Sequence, residues 1–173
     1  VRCVLGNVNK PATTGTYVCG APHNINMDSY ITLDVKRGAE IKLNFKAAIA
    51  NTRVKIESGS SMHDIIVGTD WYDGNTPSSF TVTSQDTTIK VYGDITGFDC
   101  SGNGDNITNI YVVKNTLLKT LNCSKNSLST LNLVLNTQLA DLNCSSNQIA
   151  SLDISNNRAL IDLDCSFNGL TTL

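Results

Sequence analysis

The sequence of 173 residues predicts an all-β-dominated chain. A β-sandwich-like module is expected over residues 1–95, and a solenoid of short strands with little helix over residues 96–173. One observation behind this is a phrase that recurs every 21 residues, at Leu121, Leu142 and Leu163. The other is a series of short runs before residue 95 in which apolar and polar residues alternate. A fixed period of this size is typical of a solenoid, in which each unit buries its apolar face by stacking on its neighbours.

The amino-terminal segment is rich in Gly, Pro, Thr and Asn and has little capacity to form a core. Cys3 and Cys19 lie in it, sixteen residues apart. A disulfide between them would pin the segment, contribute about 3 kcal/mol through loop entropy, and indicate an oxidising, exported location. Two free thiols in a flexible lead-in are the alternative.

Five short runs have the alternation of strands with one buried face. They are residues 31–35, 41–47, 53–57, 80–83 and 89–92. Gly, Asn, Asp and Ser separate them, as in an antiparallel sandwich or a similar β module. The Lys-Arg-Gly sequence ending at Gly38 predicts a hairpin turn, and the Ala-Ala-Ile-Ala sequence ending at Ala50 predicts either one helical turn or a loop. No Pro-rich or Ser-rich linker follows, so the last strand is expected to run directly into the first coil.

Each repeated phrase reads L-x-L/C-x-x-N. Apolar side chains two residues apart point to one face of a short extended segment. The Asn that ends the segment is predicted to bond the turn backbone of its own coil or the next, so that columns of Asn staple the coils together. These columns are Asn126, Asn147 and Asn168, and Asn136 and Asn157. A second, similar phrase begins half a period later, at Leu131 and Leu152, so each coil is expected to have two short extended sides.

Four cysteines belong to the repeat and are expected to point inward: Cys100, Cys123, Cys144 and Cys165. Stacked strands lie ~4.8 Å apart, so four thiols in a column span roughly 14 Å, too far for one tetrahedral zinc. A disulfide between stacked neighbours is disfavoured because it needs Cβ atoms ~3.8 Å apart. We therefore predict buried free thiols that act as small hydrophobic groups, with no metal site and no cofactor.

The repeated pattern resembles leucine-rich repeats, and is most similar to the irregular 21-residue class of Bacteroides-type bacterial surface proteins. The resemblance covers about residues 96–173, with a looser copy beginning at Phe98 and Ile110. The stretch from Ile89 to Cys100 is similar to the junction between an N-terminal β module and the solenoid in such proteins. The resemblance implies a bacterial cell-surface or secreted protein that acts in adhesion or host interaction.

Composition excludes several other classes. The net charge is −2 and no cluster of Lys and Arg stands out, which argues against nucleic-acid binding and against a polybasic membrane patch. No apolar run has the length that membrane insertion requires. No signal peptide is visible at Val1, and Leu173 falls inside a coil without a polar cap. We expect that further repeats follow or that something else covers this end, and self-association through it is a further possibility.

A catalytic site is weighed at His63-Asp64, which follows three serines. Nothing in the chain resembles the G-x-S-x-G turn that exposes a serine nucleophile. A His-Asp pair in a Gly/Ser-rich stretch is more typical of a solvated loop. We therefore predict that the protein is not an enzyme and has no catalytic residue.

The aromatic pair Trp71-Tyr72 lies among acidic and amide residues. An exposed pair could stack on a sugar ring. The nearby oxygens could hold calcium, although the spacing lacks the order of a reliable calcium loop. The alternative is a hairpin loop at Asp73-Gly74 with Trp71 buried as a core anchor.

Exposed positions of the repeat are the other candidates for binding. Most are small and polar and describe a solvated surface. On the cysteine side they include Ser124, Lys125, Ser145, Ser146 and Phe167, and on the other side Val134 and Leu135. The outward apolar side chains of Phe167, Val134 and Leu135 predict a contact patch, with burial against a neighbouring coil or cap as the alternative.

These observations predict a non-catalytic exported protein that recognises a protein or glycan partner, on a host or another cell surface, by additive contacts over many coils. One alternative is a structural spacer or filament subunit. Another is a carbohydrate-binding accessory module of a larger surface enzyme.

Overall fold

The computed structural model describes residues 24–71 and 80–171. These residues form strands and turns without helix, which confirms the all-β class, and they therefore contain no helix able to cross a membrane. The strands are β1 (Tyr30–Val35), β2 (Glu40–Ala47), β3 (Thr52–Ser58), β4 (Ser61–Val67), β5 (Phe80–Thr83), β6 (Thr88–Tyr92), β7 (Ile95–Asp99), β8 (Ile107–Tyr111), β9 (Thr120–Asn122), β10 (Asp141–Asn143) and β11 (Asp162–Asp164). Cys3, Cys19 and Tyr72 lie outside the described residues.

An antiparallel sheet of five strands has the order β4-β3-β6-β1-β8. Its strands form where the sequence alternates. In β1, for example, Ile31, Leu33 and Val35 are buried while the intervening residues are only partly buried. The apolar set of each strand faces the core because successive side chains point to opposite faces.

A second sheet of six strands has the order β11-β10-β9-β7-β2-β5. Within it β2 pairs antiparallel with β5 and β7, whereas β7, β9, β10 and β11 run parallel. The joint is β7, where Phe98 lies opposite Phe45 on one side and Leu121 on the other. The predicted domain boundary at residue 95 coincides with the first residue of this strand. The division into two domains stays a prediction.

The parallel strands follow the sequence period. Leu121, Leu142 and Leu163 are direct register partners across β9, β10 and β11. The second side of the first coil contains β8, whereas in the later coils the residues after Leu131 and Leu152 form no strand and lead into a turn. The prediction of an extended second side therefore gives a strand only in the first coil. The backbone N–H of Asn136 donates to the Leu133 carbonyl at 2.9 Å and thereby reverses the chain. An N–H used in such a turn is not available to a ladder with the next coil.

Two predictions of local structure fail because of how the strands pair. The turn ending at Gly38 connects β1 of one sheet to β2 of the other, so it is not a hairpin. His63 lies on β4 and not in a loop, because β3 and β4 form a hairpin whose tight turn is Gly59-Ser60. Ala47 ends β2, and the three residues after it form a bend and turn without helix.

Buried apolar side chains of both sheets belong to one cluster, which extends from Ile31 to Leu152. Cys100, Cys123 and Cys144 are fully buried within it. Cys165 follows β11, the last described strand, and is only partly buried.

Candidate functional site

The outward side of the parallel strands is a strip of polar side chains, which we call the repeat face. It consists of Thr120 and Asn122, Asp141 and Asn143, and Asp162 and Asp164, from β9, β10 and β11 respectively. The leucine between each pair points into the core because side chains alternate along a strand. The face is concave, and the three strands border a shallow groove of about 370 Å³.

The same local hydrogen bond recurs at the serine after each cysteine from Cys123 to Cys165. The side-chain oxygen Oδ1 of Asn143 accepts bonds from the Ser145 backbone N–H at 3.0 Å and from its hydroxyl at 2.7 Å. Asn122 holds Ser124 in the same way. Ser124 and Ser145 are therefore buried, so the expectation that they are exposed surface positions is wrong. These serines close the turn and are not available to a partner.

The carboxyl end of the repeat face is acidic. Asp141 and Asp162 are direct register partners, an arrangement in which like charges oppose each other. Hydrogen bonds from the Ser166 hydroxyl and backbone N–H hold the pKa of Asp164 below its ordinary value. Thr120 donates to Asp141 at 3.1 Å and relieves part of the repulsion. The face thus presents two carboxylates on β11, a carboxylate and an amide on β10, and a hydroxyl and an amide on β9.

A column of left-handed backbone conformations follows the parallel strands. Gly102, Lys125, Ser146 and Phe167 have φ values of 72°, 56°, 56° and 54°. Only Gly adopts this conformation without steric cost, and a bulky residue there is a genuine outlier. Lys125 is exposed, Ser146 is partly buried, and the Phe167 side chain is 84% exposed. Phe167 therefore combines a strained backbone with an apolar ring in water.

Val134 and Leu135 are also exposed, but they lie on the other side of the coil, in the turn after Leu133. Val134 borders a groove of about 420 Å³ together with Asp153. Half a repeat separates this turn from the side that carries Phe167. The three apolar residues therefore form two separate positions and not one patch.

Trp71 is partly buried and lies against the outward side of the six-stranded sheet. A Cβ atom added at Gly97 would be 2.9 Å from two carbons of its ring, so the ring lies directly over the glycine. The ammonium of Lys46 is 5.8 Å from the ring centroid, within the range of a cation–π contact. Trp71 thus packs on the outward side of β7, and it is neither a fully exposed platform nor a core anchor.

The Asn columns hold the site in place. The Asn147 amide nitrogen donates to the carbonyls of Cys144 and Cys123 at 3.0 Å each, and its oxygen accepts from the Leu128 N–H at 3.0 Å. Asn126 and Asn168 make the equivalent pair of donor bonds, at 2.9–3.0 Å. Each amide joins its own coil to the preceding one and not to the next. These residues position the repeat face without being exposed on it.

The first Asn of the series connects the coils to the antiparallel strands. Asn103 donates to the carbonyl of Lys42 at 3.0 Å, and its oxygen accepts from the Lys42 N–H at 2.9 Å. It also bonds its own turn at the Cys100 carbonyl, at 2.9 Å. One side chain therefore pins the first coil to β2.

The buried cysteines have no nucleophilic character. Burial raises the pKa of Cys123 well above its ordinary value and that of Cys144 to about 12. Both thiols are protonated at neutral pH, and the thiolate is the reactive form. Among the described residues, no group of three His, Cys, Asp or Glu side chains is placed to hold a metal ion.

The His-Asp sequence does not assemble a catalytic triad. The Ser61 hydroxyl lies 3.0 Å from Nε2 of His63. Asp64, however, points to the opposite face of β4 and forms an ion pair with Arg53 at 2.9 Å. The carboxylate therefore cannot orient the imidazole as a triad requires.

No protein-family profile and no curated protein matches the chain. Among solved structures, the chain is similar to the functional domain of InlJ from Listeria monocytogenes, a domain that includes a cysteine ladder. The two are 42% identical in sequence, with a TM-score of 0.44, and the match covers 45% of this chain and 17% of the InlJ chain. The match thus spans less than one fifth of the solved InlJ chain.

Proposed function

We propose that the protein is a non-catalytic, exported bacterial surface protein that recognises a protein partner. In this proposal residues 96–173 form a leucine-rich-repeat solenoid, and residues 1–95 form a β-sandwich-like module pinned by a Cys3–Cys19 disulfide. The partner is held by contacts distributed over the repeat face and over the adjoining column that contains Lys125, Ser146 and Phe167.

Phe167 is the observation that carries the proposal. Its 84% exposure and its φ of 54° are both unfavourable in the isolated protein. Neither helps the fold, since Gly102 occupies the equivalent position of the first coil. Backbone strain and exposed aromatic groups concentrate where a protein meets a partner. Burial of this ring in an interface would recover the hydrophobic free energy that exposure forfeits.

The scaffold suits this role because the ring is held by a rigid turn. The Asn168 amide next to Phe167 donates to the Cys165 carbonyl of its own coil at 3.0 Å and to the Cys144 carbonyl of the preceding coil at 2.9 Å. A preorganised anchor loses little conformational entropy when it binds. Many weak contacts on a fixed surface then add to a useful affinity.

Binding of the fluorescently labelled chain to cultured epithelial cells and to immobilised fibronectin, laminin and collagen tests the proposal. Phe167→Ser should weaken binding by at least tenfold, as loss of an interfacial aromatic anchor does, and should leave the circular dichroism spectrum unchanged. Ile161→Ser is the matched control, because Ile161 is 81% exposed on the same coil but is not in the left-handed column. Equal losses in both variants would indicate non-specific adhesion, and undiminished binding by Phe167→Ser would refute the assignment.

A further inference from the structure

The outward face of the five-stranded sheet carries tyrosines on three adjacent strands, and we call it the tyrosine face. Tyr92 on β6 and Tyr30 on β1 are register partners, with ring centroids 5.6 Å apart at an interplanar angle of 52°. Tyr111 on β8 lies opposite Thr32 of β1. Adjacent strands are ~4.8 Å apart, so the rings cross the sheet obliquely over two strand spacings.

These rings are not needed for the core. The alternate residues of the same strands, among them Ile31, Val91 and Ile110, fill the interior and are at most 3% exposed. The Tyr111 side chain is 50% exposed, and Tyr30 and Tyr92 are partly buried. The sheet therefore has three aromatic side chains on its solvent-facing side that do not fill the core.

The charged groups of the tyrosine face balance one another. Three cations and three carboxylates share this face, which gives a net charge of 3 − 3 = 0: Arg53, Lys55 and Lys90, and Asp34, Glu57 and Asp64. Four of them form the ion pairs Arg53–Asp64 and Lys55–Glu57.

The other two charges are held against tyrosines. The Lys90 ammonium is 5.9 Å from the ring centroid of Tyr30. Asp34 accepts bonds from the Tyr111 hydroxyl at 2.9 Å and from the Asn109 amide at 3.1 Å. The rings are consequently surrounded by fixed hydrogen-bonding groups without excess charge.

We propose that the tyrosine face binds a neutral glycan. A pyranose ring presents an apolar C–H face that stacks on an aromatic ring, and hydroxyls at its edge that bond to neighbouring charged and amide groups. An anionic glycan would find each cation already paired with a carboxylate or a ring. A protein partner would require a continuous apolar centre, whereas six charged side chains share this face with the three rings. The face belongs to the sheet that does not contain the repeat face, so this inference is independent of the proposed function.

Affinity electrophoresis of the full chain tests it, with gels that contain xylan, mixed-linkage β-glucan, galactomannan or starch, and heparin as the anionic comparison. We expect at least one neutral polysaccharide to retard the protein and heparin not to. Tyr111→Ala should weaken the retardation by about two- to twelvefold, the value of one aromatic contact. Tyr111→Phe, which keeps the ring, should stay within about twofold of the parent.

Controls separate this inference from the proposed function. Thr108→Ala, an exposed change on the same strand, and Phe167→Ser should both leave the retardation unchanged. Tyr30→Ala, with its fold verified by circular dichroism, should weaken it as Tyr111→Ala does. Absence of retardation by all four neutral polysaccharides, stronger retardation by heparin, or full retention in both Tyr→Ala variants would overturn the proposal.

Discussion

Replacement of Asn147 by alanine removes the amide that holds two successive coils together. The Cys123 and Cys144 carbonyls each lose one of two amide donors, because Asn126 and Asn168 continue to bond them. The Leu128 N–H loses its acceptor while Leu128 remains fully buried. The loss of stability is therefore the sum of two weakened carbonyl bonds and one buried N–H left without a partner.

Each carbonyl bond contributes about 0.5–1.5 kcal/mol net, and an orphaned buried N–H costs about 1–3 kcal/mol. Together these give a loss of roughly 2–6 kcal/mol, and we expect about 3–4 kcal/mol in the free energy of unfolding. Asn168→Ala breaks the same kinds of bond on the last described coil, where Asn168 is only partly buried. Water can replace the amide there, so about half of the loss is expected.

Urea denaturation followed by far-ultraviolet circular dichroism measures these differences, provided that the slope with denaturant stays constant among the variants. Asn156→Ala is the matched control, because it makes the same change at an exposed position of the repeat. This variant should change the free energy of unfolding by less than about 0.5 kcal/mol. A loss below about 1 kcal/mol in Asn147→Ala would show that the amides do not hold the coils together and would refute this reasoning.

Three further predictions concern single side chains. Phe167→Asn should raise the free energy of unfolding by about 1 kcal/mol, since Asn tolerates the left-handed conformation, and an unchanged urea midpoint would contradict the strain argument. Burial raises the pKa of Cys144 to about 12 from an ordinary 9.0. Above pH 9 the thiol ionises in the unfolded chain but stays protonated in the folded one. The free energy of unfolding therefore falls as the pH rises above 9, by about 1.4 kcal/mol per pH unit. Cys144→Ala should therefore make the decline between pH 9 and 10.5 shallower, and an equal slope in both proteins would contradict the pKa shift. Gly97→Ala should displace Trp71 and shift its fluorescence emission to longer wavelength, whereas an unshifted spectrum would argue against the ring's position over Gly97.

Much of the fold could be predicted because the decisive patterns are local. The 21-residue period places Leu121, Leu142 and Leu163 in register, since one coil brings each strand back beside its predecessor. The period-two alternation of residues 31–35 and 41–47 marks β1 and β2, because each of these strands has one buried face. The exposure of Phe167 was also predictable, since its position in the phrase is occupied by Lys125 and Ser146 in the other coils.

The remainder depended on strand pairing and turn geometry that the pattern of residue types does not show. The stretch Ile65-Ile66-Val67 breaks the alternation of β4, an edge strand, and so conceals that strand. The residues of the turn at Gly38 are typical of a hairpin. However, β1 pairs with β6 in one sheet and β2 pairs with β7 in the other, so the two flanking strands do not pair with each other. The Ser145 hydroxyl is buried by a bond to Asn143 two residues earlier, and only the geometry of the turn reveals it. The tyrosine face was missed because its members come from three runs whose order in the sheet differs from their order in the chain.

The two-sided pairing of β7 has a consequence for the order in which the molecule assembles. As the chain leaves the ribosome, β2 and β5 are synthesised before β7, and β7 supplies the edge on which β9 can dock. Each later strand then finds a template only 21 to 23 residues behind it, so loop closure is short for a parallel sheet. We therefore expect the antiparallel part to fold first and each parallel strand to add to it in turn toward the carboxyl end.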